Sequence, residues 1–446
     1  MMWYHTDYGC NNDTITILKK IALFCTALCT VSPFPLDIKE GTIIEDSEIN
    51  SFFNAVKQPV SAKNPCLKAT KIYVIQSHEF NAFAVGEPLA FIFYRVIEEC
   101  DLDAVVAILM HEMGHIAGQH VLRQVSAVKQ NMMRNLPIMV LGAATLNPIA
   151  IAAGMGMWGA STQAHMMKHS REHEYAADAF AVRALNELNW PVSGLEKTMT
   201  FFHEKTMGLT IPSYFRTHPY PAERLRSIQA MQLNKKCTFP KEMDHLFQCI
   251  KSKLVGFCTP INKAHNRIQR LNIAPEYKLY GQAIVAYRKG LYEQAMALVD
   301  QFEGKTGGCT PYTQEIKADI ALEQKHPEQA LRFINDALRT RPRDLLLATK
   351  KASILLALNR PQECRTFLEH YLPQKHLTPQ FWYVLARSLY MQKQWGPSHV
   401  CQAEQAWASN DKDNAKKWLD KARPYFQKKS TCMYGLRFQK MQKLIY

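Results

Sequence analysis

A repeated motif near the C-terminus constrains the fold of this 446-residue chain more than any other sequence feature. Three similar eight-residue segments start at Tyr292, Pro327 and Pro361, at steps of 35 and 34 residues, and a related segment starts at Lys412 after a longer gap. Their fourth positions hold small residues: Ala295, Ala330, Cys364 and Ala415. A period of about 34 residues with a small residue early in a helix is typical of stacked helix-turn-helix units.

The repeat predicts an α-helical solenoid over residues 271–446. Its period and small residues are those of tetratricopeptide (TPR) repeats. Such hairpins stack because one hairpin cannot cover its own apolar face, and the stack presents a concave surface to partners. Generic helical hairpins without this superhelix are the alternative.

The charge is distributed unevenly between the two halves of the chain. Residues 1–230 hold 19 Lys and Arg against 21 Asp and Glu, whereas residues 231–446 hold 35 against 18. The net charges are therefore −2 and +17, which indicates two modules, the second suited to acidic partners. Solvated Lys and Arg on helix faces are the alternative interpretation. A hydrophobic content of 47% excludes a disordered chain.

The N-terminal residues 1–34 have the composition of a secretory leader. Lys19 and Lys20 precede the apolar run 21–31, which is followed by Ser-Pro-Phe-Pro. A basic pair before a short apolar stretch and turn residues is typical of a signal peptide, and the run is too short to span a bilayer. We therefore expect export. A buried N-terminal helix is the alternative.

The cysteine distribution suits an oxidising compartment. If the first three of the 12 cysteines leave with the leader, nine remain, so at least one stays unpaired. Cys237, Cys249 and Cys258 cluster where the charge changes sign. We expect residues 236–270 to form a linker between the modules, and a disulfide within this cluster could staple it.

Residues 35–235 are expected to form a mostly helical α+β domain with a small sheet. Lys71–Ile75 is rich in β-formers, and the runs 81–84 and 89–94 read as a further strand or hairpin. From Asp103, apolar residues recur at three- and four-residue spacing, which predicts a helix. Further helices are expected over residues 161–188 and 192–205.

The segment 136–160 is almost wholly apolar. Its length of about 25 residues would allow one membrane crossing but not a hairpin, which needs roughly 40. A single crossing would separate the chemical motifs before and after it on opposite sides of the membrane. We therefore expect two short apolar helices beside the cleft of the domain formed by residues 35–235, in peripheral contact with a membrane surface. An integral-membrane protein is the alternative.

The sequence His111-Glu112-Met-Gly-His115 lies within the helix predicted from Asp103. Residues four apart share one helix face, so both imidazoles can reach one metal ion. Glu112 would then project toward a water molecule beside that ion. The pattern therefore indicates a metal-dependent hydrolytic site.

Two histidines leave such a site one ligand short, and a carboxylate from a later helix is the usual third ligand. The segment Ser170-Arg-Glu-His-Glu-Tyr-Ala-Ala-Asp178 offers candidates. Glu174 and Asp178 are four residues apart on one face, and small alanines between them permit close helix packing. Glu172 and His173 are the competing candidates.

These segments, taken in order, resemble a known family. The HEMGH motif, the preceding Asn81-Ala-Phe-Ala, His120, the segment ending at Asp178, and Thr217-His-Pro-Tyr-Pro-Ala-Glu-Arg224 are similar to HtpX- and BepA-type zinc metallopeptidases. The TPR tail is similar to the BepA type, which are periplasmic proteases of outer-membrane assembly. The resemblance covers about residues 40–430. It departs at Val85-Gly-Glu-Pro, where the family commonly has a Pro-Gly-Gly turn before its edge strand.

The resemblance implies a zincin-like domain that binds one Zn²⁺ per chain. It assigns His111, His115 and Glu174 as zinc ligands and Glu112 as the general base. It matches His218 to a loop histidine that can approach the zinc as a fourth ligand. Asp178 is expected to orient a ligand histidine or Arg171.

The implied function is a zinc endopeptidase in the periplasm of a Gram-negative bacterium. Its expected substrates are misfolded or stalled outer-membrane proteins, bound as an added strand near residues 80–94. The TPR domain would recruit substrate or the outer-membrane assembly machinery. A non-proteolytic chaperone or assembly scaffold with a structural zinc is the alternative, and the intact Glu112 favours the enzyme. Nucleic-acid binding is not expected, because the basic half holds no recognised motif for it.

Overall fold

The computed structural model describes residues 43–85, 88–119, 171–206, 218, 222–231, 237–374, 377–426 and 432–445, together with a two-residue strand, Met2–Trp3 (β1). Apart from β1, the expected leader lies outside the described residues. The apolar segment 136–160, His120 and the cysteines at positions 10, 25 and 29 also lie outside them. Among the described helices, none is long and apolar enough to cross a membrane.

The described chain divides into two compact units. The first covers residues 38–278, and the second covers residues 279–446. The first unit is helical with a small sheet, and the second consists of helical hairpins, as the sequence predicts for the fold class. The predicted α+β, mostly helical fold is therefore confirmed.

The sheet of the first unit contains four strands in the order β2-β3-β5-β4. Strands β2 and β3 are antiparallel, β3 and β5 are parallel with Ile75 opposite Phe93, and β4 and β5 are antiparallel with Ala82 opposite Ile92. The position of β4 at the sheet edge matters for the site described below. The strands are β2 (Ile43–Glu45), β3 (Lys71–Ile75), β4 (Ala82–Val85) and β5 (Leu89–Phe93).

Eight helices of the first unit lie among the described residues. They are α1 (Ser47–Lys63), α2 (Tyr94–Glu99), α3 (Leu102–Ala117), α4 (Arg171–Leu188), α5 (Ser193–Thr206), α6 (Ala222–Met231), α7 (Lys241–Cys258) and α8 (Ile261–Gln269). Helix α3 is the central one, because its residues are buried around the whole circumference from Ala104 to His115. Its N-terminus is capped by Asp101, whose carboxylate accepts a hydrogen bond of 2.9 Å from the Ala104 amide.

The expectation of a linker over residues 236–270 needs correction. Helices α7 and α8 occupy this stretch, and both belong to the first unit. Phe247 of α7 packs against Phe52, with ring centroids 5.7 Å apart. The fully buried Lys253 ammonium lies 2.7 Å from Asp46 Oδ2. A helix that buries an aromatic ring and an ion pair in the core is part of the domain and not a connection between domains.

Nor is the linker disulfide present. Cys237, Cys249 and Cys258 are free thiols, as are the six other cysteines among the described residues. Burial raises the pKa of the Cys249 thiol well above its usual range. Cys249 and Cys258, which are buried, therefore contribute apolar packing and do not form the expected disulfide.

Ten helices follow from the boundary onward. They are α9 (Pro275–Arg288, which contains the boundary), α10 (Tyr292–Thr306), α11 (Pro311–Glu323), α12 (Pro327–Thr340), α13 (Leu345–Ala357), α14 (Pro361–Glu369), α15 (Pro379–Met391), α16 (Trp395–Ala408), α17 (Lys412–Ala422) and α18 (Met433–Ile445). The second helices of four successive hairpins begin at Tyr292, Pro327, Pro361 and Trp395. Their fourth residues are all fully buried: Ala295, Ala330, Cys364 and Ser398.

The fourth repeat differs from the position predicted from sequence. Its second helix begins at Trp395, 34 residues after Pro361, and the segment at Lys412 instead starts the following helix α17. The small residue at the tight position is Ser398, whose hydroxyl donates a hydrogen bond of 2.9 Å to the Ala386 carbonyl. The polar Ser398 is tolerated there because its hydroxyl is satisfied.

Candidate metal centre

Helix α3 brings the first two candidate ligands to one side of the first unit's core. His111 and His115 are both buried, and Glu112 between them is fully buried. Gly114 allows α3 to approach α4 closely, because a Cβ at this position would lie 2.9 Å from Ala177 Cα and its carbonyl oxygen. The HEMGH motif therefore provides two candidate ligands, and the missing side chain of Gly114 allows a second helix to approach them.

Helix α4 contributes two carboxylates from its inward face. Glu174 and Asp178 are buried, whereas Glu172 is exposed and His173 is partly exposed. The close contact between α3 and α4 brings Glu174 Oε2 to 3.4 Å from His111 Nε2 and Oε1 to 3.4 Å from His115 Nε2. Of the competing candidates, the structure thus brings Glu174 to the histidine pair.

His218 supplies a fourth donor atom from a part of the chain before α6. Its Nδ1 lies 3.1 Å from Glu174 Oε1 and 3.4 Å from His111 Nε2. The Nε2 atoms of His111 and His115 are 3.0 Å apart. The four residues offer ligand atoms that all lie within 4.8 Å of one another, and all four are buried.

These distances fit the donor set of a tetrahedral metal ion. Zinc bonds of about 2.0–2.2 Å to imidazole nitrogen and carboxylate oxygen imply ligand atoms about 3.3–3.6 Å apart. The five short separations given above lie between 3.0 and 3.4 Å. Three imidazoles and one carboxylate are donors that suit zinc. The side chains of this chain therefore fit the ion that the sequence motif implies.

The electrostatics of the cluster favour a cation. Burial would raise the pKa of Glu174, but the neighbouring imidazoles of His218, His111 and His115 outweigh it and hold the pKa well below its usual range. Burial likewise opposes charge on His111, yet hydrogen bonds to Asp178 and Glu174 raise its pKa to about 10. The buried carboxylates thus stabilise positive charge at the centre.

Asp178 and Arg224 hold the candidate ligands His111 and Glu174 in position through hydrogen bonds and an ion pair. The Asp178 Oδ1 atom lies 2.9 Å from His111 Nδ1 and accepts its hydrogen, which directs Nε2 toward the centre. Arg224 donates to both oxygens of Asp178, and its Nη1 lies 2.8 Å from Glu174 Oε2. Hydrogen bonds from His111 and Arg224 overcome burial and lower the pKa of Asp178.

The arginine in this network differs from the one predicted. Arg171 is exposed at the first residue of α4, and the arginine that binds Asp178 is Arg224 of α6. Arg171 lies two helical turns before Asp178 on α4. The Arg171 side chain therefore begins too far along the helix to take the place of Arg224 beside the Asp178 carboxylate. Arg224 is the last residue of the Thr217–Arg224 segment. Its position six residues after the candidate ligand His218 was the sequence signal that could have identified it as the partner of Asp178.

Glu112 lies next to the candidate ligands and next to the sheet edge. Its Oε1 is 3.4 Å from His218 Nε2. Burial raises the pKa of Glu112, while the charges of His218 and His111 and the backbone of Ala84 in β4 act in the opposite direction. A desolvated carboxylate with a raised pKa, placed beside a metal-ligand cluster, has the properties of a general base.

Comparisons with known proteins agree with this division of the chain. Residues 45–232 match the model of Peptidase family M48, and residues 321–388 match the model of a tetratricopeptide repeat. Among curated proteins, none is significantly similar in sequence to this chain.

Two solved structures are weakly similar. One is a tetratricopeptide repeat protein from Parabacteroides merdae, with 13% identity and a TM-score of 0.30, covering 61% of this chain and 93% of that chain. The other is yeast Tom70, with 10% identity and a TM-score of 0.31, covering 76% of this chain and 81% of that chain.

The M48 match includes strands β3, β4 and β5, the HEMGH helix, Glu174, His218 and Arg224. The tetratricopeptide match falls on the helical hairpins of the second unit. The chain is therefore similar to Peptidase family M48 over residues 45–232 and to a tetratricopeptide repeat over residues 321–388, a combination that supports a metallopeptidase joined to a protein-interaction module.

Proposed function

We propose that this chain is a zinc-dependent endopeptidase of the bacterial periplasm that hydrolyses misfolded or stalled outer-membrane proteins. The observation that carries the enzymatic part is the convergence of His111, His115, Glu174 and His218 on one buried point. Their ligand atoms have the spacing of a tetrahedral zinc site, and Glu112 lies beside them. A family M48 match over the same residues supports the assignment.

His111, His115 and Glu174 would hold the zinc ion. The chemistry that zinc supplies in such a site is the activation of water and the polarisation of a carbonyl group. Glu112 accepts the proton of the attacking water and then delivers it to the leaving amine. Burial favours proton uptake by Glu112, because it raises the pKa of this carboxyl above its ordinary value.

The edge strand β4 is the proposed docking position for substrate. Strand β4 ends the sheet, and within the described part of the chain no strand pairs with its outer side. The backbone of Ala84 in β4 lies close enough to influence the Glu112 carboxylate. An extended peptide paired with β4 would therefore pass next to the general base.

His218 is proposed to hold the enzyme in a latent state. Its Nδ1 completes the four-atom cluster, so it competes with water for the fourth ligand position. Movement of His218 away from the cluster would free this position for water. In its present place, Nε2 also lies 3.4 Å from Glu112 Oε1, in the space that an attacking water needs.

The second unit is proposed to recruit substrate or the outer-membrane assembly machinery. The tetratricopeptide match supports a role in protein interaction. Residues 279–446 hold 26 Lys and Arg against 15 Asp and Glu, and this net positive charge suits acidic partners. Peripheral membrane contact by the segment 136–160 remains part of the proposal.

Casein digestion by the purified full chain tests the enzymatic proposal. We expect digestion that is abolished by a zinc chelator and restored by zinc. Glu112→Gln should keep its zinc and lose activity by about 10²–10⁴-fold. Glu174→Gln should lose zinc, whereas the matched Glu172→Gln, whose side chain is exposed on the same helix, should keep both zinc and activity.

Two outcomes would overturn this proposal. One is proteolysis that persists undiminished in Glu112→Gln. The other is a zinc-loaded wild-type chain that digests nothing, including after substitution of His218, while it still prevents aggregation of an unfolded outer-membrane protein. The second result would favour the chaperone function.

A further inference from the structure

A second candidate binding site lies outside the metal centre, in a cavity of about 400 Å³ in the first unit. It opens between the start of α2 and helix α8, and its lining includes Tyr94, Thr259 and Asn262. The parallel strands β3 and β5 both end here, with Ile75 opposite Phe93. Side chains that follow such strand ends commonly build binding sites.

The cavity has a cationic wall. Its lining contains Arg95, Lys263, Arg267 and Arg270, and none of the described lining residues is acidic. Two of these cations pair with carboxylates that are not among the lining residues: Arg95 pairs with Glu99, and Arg267 pairs with Glu98. The buried Glu98 side chain is only 2% exposed. These two guanidinium groups are therefore fixed in position.

Lys263 and Arg270 carry the surplus charge. Both are exposed, and neither makes an ion pair with any residue that the structure describes. They lie seven residues apart, about two helical turns, with Lys263 in α8 and Arg270 directly after its last residue, so both can reach the same ligand. Two exposed cations beside two anchored ones make this cavity attractive to an anion.

Asn262 and Asn266 add neutral hydrogen-bonding groups to the same lining. They are four residues apart, and each side-chain amide offers both a donor and an acceptor. A peptide main chain presents the complementary pair of groups, whereas a phosphodiester presents acceptors only. The mixture of cations and amides therefore matches an acidic peptide better than a nucleic acid or a lipid headgroup.

We propose that this cavity binds an acidic side chain of an extended polypeptide, with Lys263 and Arg270 pairing with its carboxylate and the two asparagines holding its main chain. The proposal rests on the proposed peptidase function, for which it names a substrate class: polypeptides with an acidic residue beyond the cleaved segment. Arg guanidinium groups pair with carboxylates in a planar, bidentate geometry that favours this ligand.

The sheet connects the cavity to the proposed docking strand. Because β4 is antiparallel to β5, Ala82 lies opposite Ile92, next to the end of β5 where the cavity opens. A peptide paired with β4 that continues beyond Ala82 leaves the sheet at this end. The cavity is thus placed to select an acidic residue on one side of the segment that passes Glu112.

Binding measurements on the full chain test the proposal without catalysis. The probe is a fluorescein-labelled extended peptide with two adjacent glutamates, and the matched probe carries glutamines in their place. The protein is zinc-loaded Glu112→Gln, and fluorescence anisotropy reports Kd. Lys263→Glu with Arg270→Glu should raise Kd for the glutamate peptide about tenfold at low salt, with less effect at high salt.

Lys68→Glu with Arg343→Glu is the matched control, because both residues are exposed and the net charge changes equally. It should leave Kd within about twofold of the parent. Lys263→Gln with Arg270→Gln, a milder pair at exposed positions, should weaken binding in the same direction. Circular dichroism shows whether each variant is folded.

Three results would overturn the acidic-peptide site. They are equal binding of the two peptides, equal effects of the cavity and control pairs, and binding of a DNA duplex or phosphatidylglycerol vesicles without binding of the glutamate peptide. Casein digestion by the parent chain is recorded separately. If the parent chain digests casein but does not distinguish the two peptides, only the cavity proposal is rejected. If it distinguishes the peptides but does not digest casein, only the peptidase proposal is rejected.

Discussion

Arg224 binds Asp178 through two parallel hydrogen bonds, from Nε to Oδ2 at 2.7 Å and from Nη2 to Oδ1 at 2.8 Å. Asp178 in turn accepts a hydrogen bond from His111 Nδ1 at 2.9 Å. Since all three side chains are buried, the orientation of the candidate ligand His111 depends on a residue of another helix. This chain of contacts links α6, α4 and α3.

Asp178→Asn should weaken zinc binding by about 10–100-fold, because the amide is uncharged and makes His111 a weaker, less well oriented ligand. A competitive chelator titration of the purified chain measures this change. Asp336→Asn, at a partly exposed aspartate of the second unit, serves as the control and should leave zinc affinity unchanged. Equal zinc affinity in Asp178→Asn and wild type would contradict the positioning role of Asp178.

Arg224→Ala should destabilise the first unit by about 3–5 kcal/mol in the zinc-free protein, because it leaves the carboxylates of Glu174 and Asp178 buried without their counter-charge. Urea unfolding followed by circular dichroism measures the loss. Arg226→Ala, at an exposed position on the same helix, should cost no more than about 0.5 kcal/mol. Similar losses in the two variants would show that Arg224 is not needed to compensate these charges.

His218→Ala should raise proteolysis severalfold while zinc stays bound. His111, His115 and Glu174 remain as ligands in this variant, and the fourth position becomes open to water. Initial rates of casein cleavage, divided by measured zinc content, provide the comparison. Unchanged or lower activity per zinc would count against latency through His218.

The thiols of the second unit should differ sharply in reactivity. Burial raises the pKa of Cys364 to about 12, while a hydrogen bond with Ser388 opposes this, and Cys309 is exposed. At pH 8, iodoacetamide should label Cys309 and spare Cys364 in the native chain, because the thiolate is the nucleophile. Peptide mass spectrometry after brief labelling distinguishes them.

Labelling in urea is the control for Cys364, since both thiols should then react. Equal labelling of Cys309 and Cys364 in the native protein would show that the fourth position of this repeat is not enclosed. The same comparison also tests the packing of the repeat hairpins, because Ala295, Ala330 and Ser398 hold the equivalent buried position.

The local chemistry of the candidate site could be predicted from spacing alone. His111 and His115 share a helix face because they are four residues apart, and Val105, Val106 and Leu109 indicate that helix without any tertiary information. The 34-residue period likewise predicted the second helices that begin at Pro327 and Pro361. It did not identify the second helix that begins at Trp395, in which Ser398 holds the position of the small residue.

Contacts between residues of different helices could be identified only from the structure. Spacing placed Glu172, His173 and Glu174 close together on α4 without ranking them, and only the contact of Gly114 with Ala177 shows which side chain faces the histidines. The linker assignment failed for the same reason, because the burial of Lys253 and Phe247 depends on α1.

By itself, the sequence determined which side chains lie on a common helix face and where the helical repeat occurs, since both follow from the fixed geometry of about 3.6 residues per turn. Only the tertiary structure decided that Arg224, and not Arg171, binds Asp178. That choice depends on which helices pack together, and helix packing is set by contacts between residues far apart in the chain.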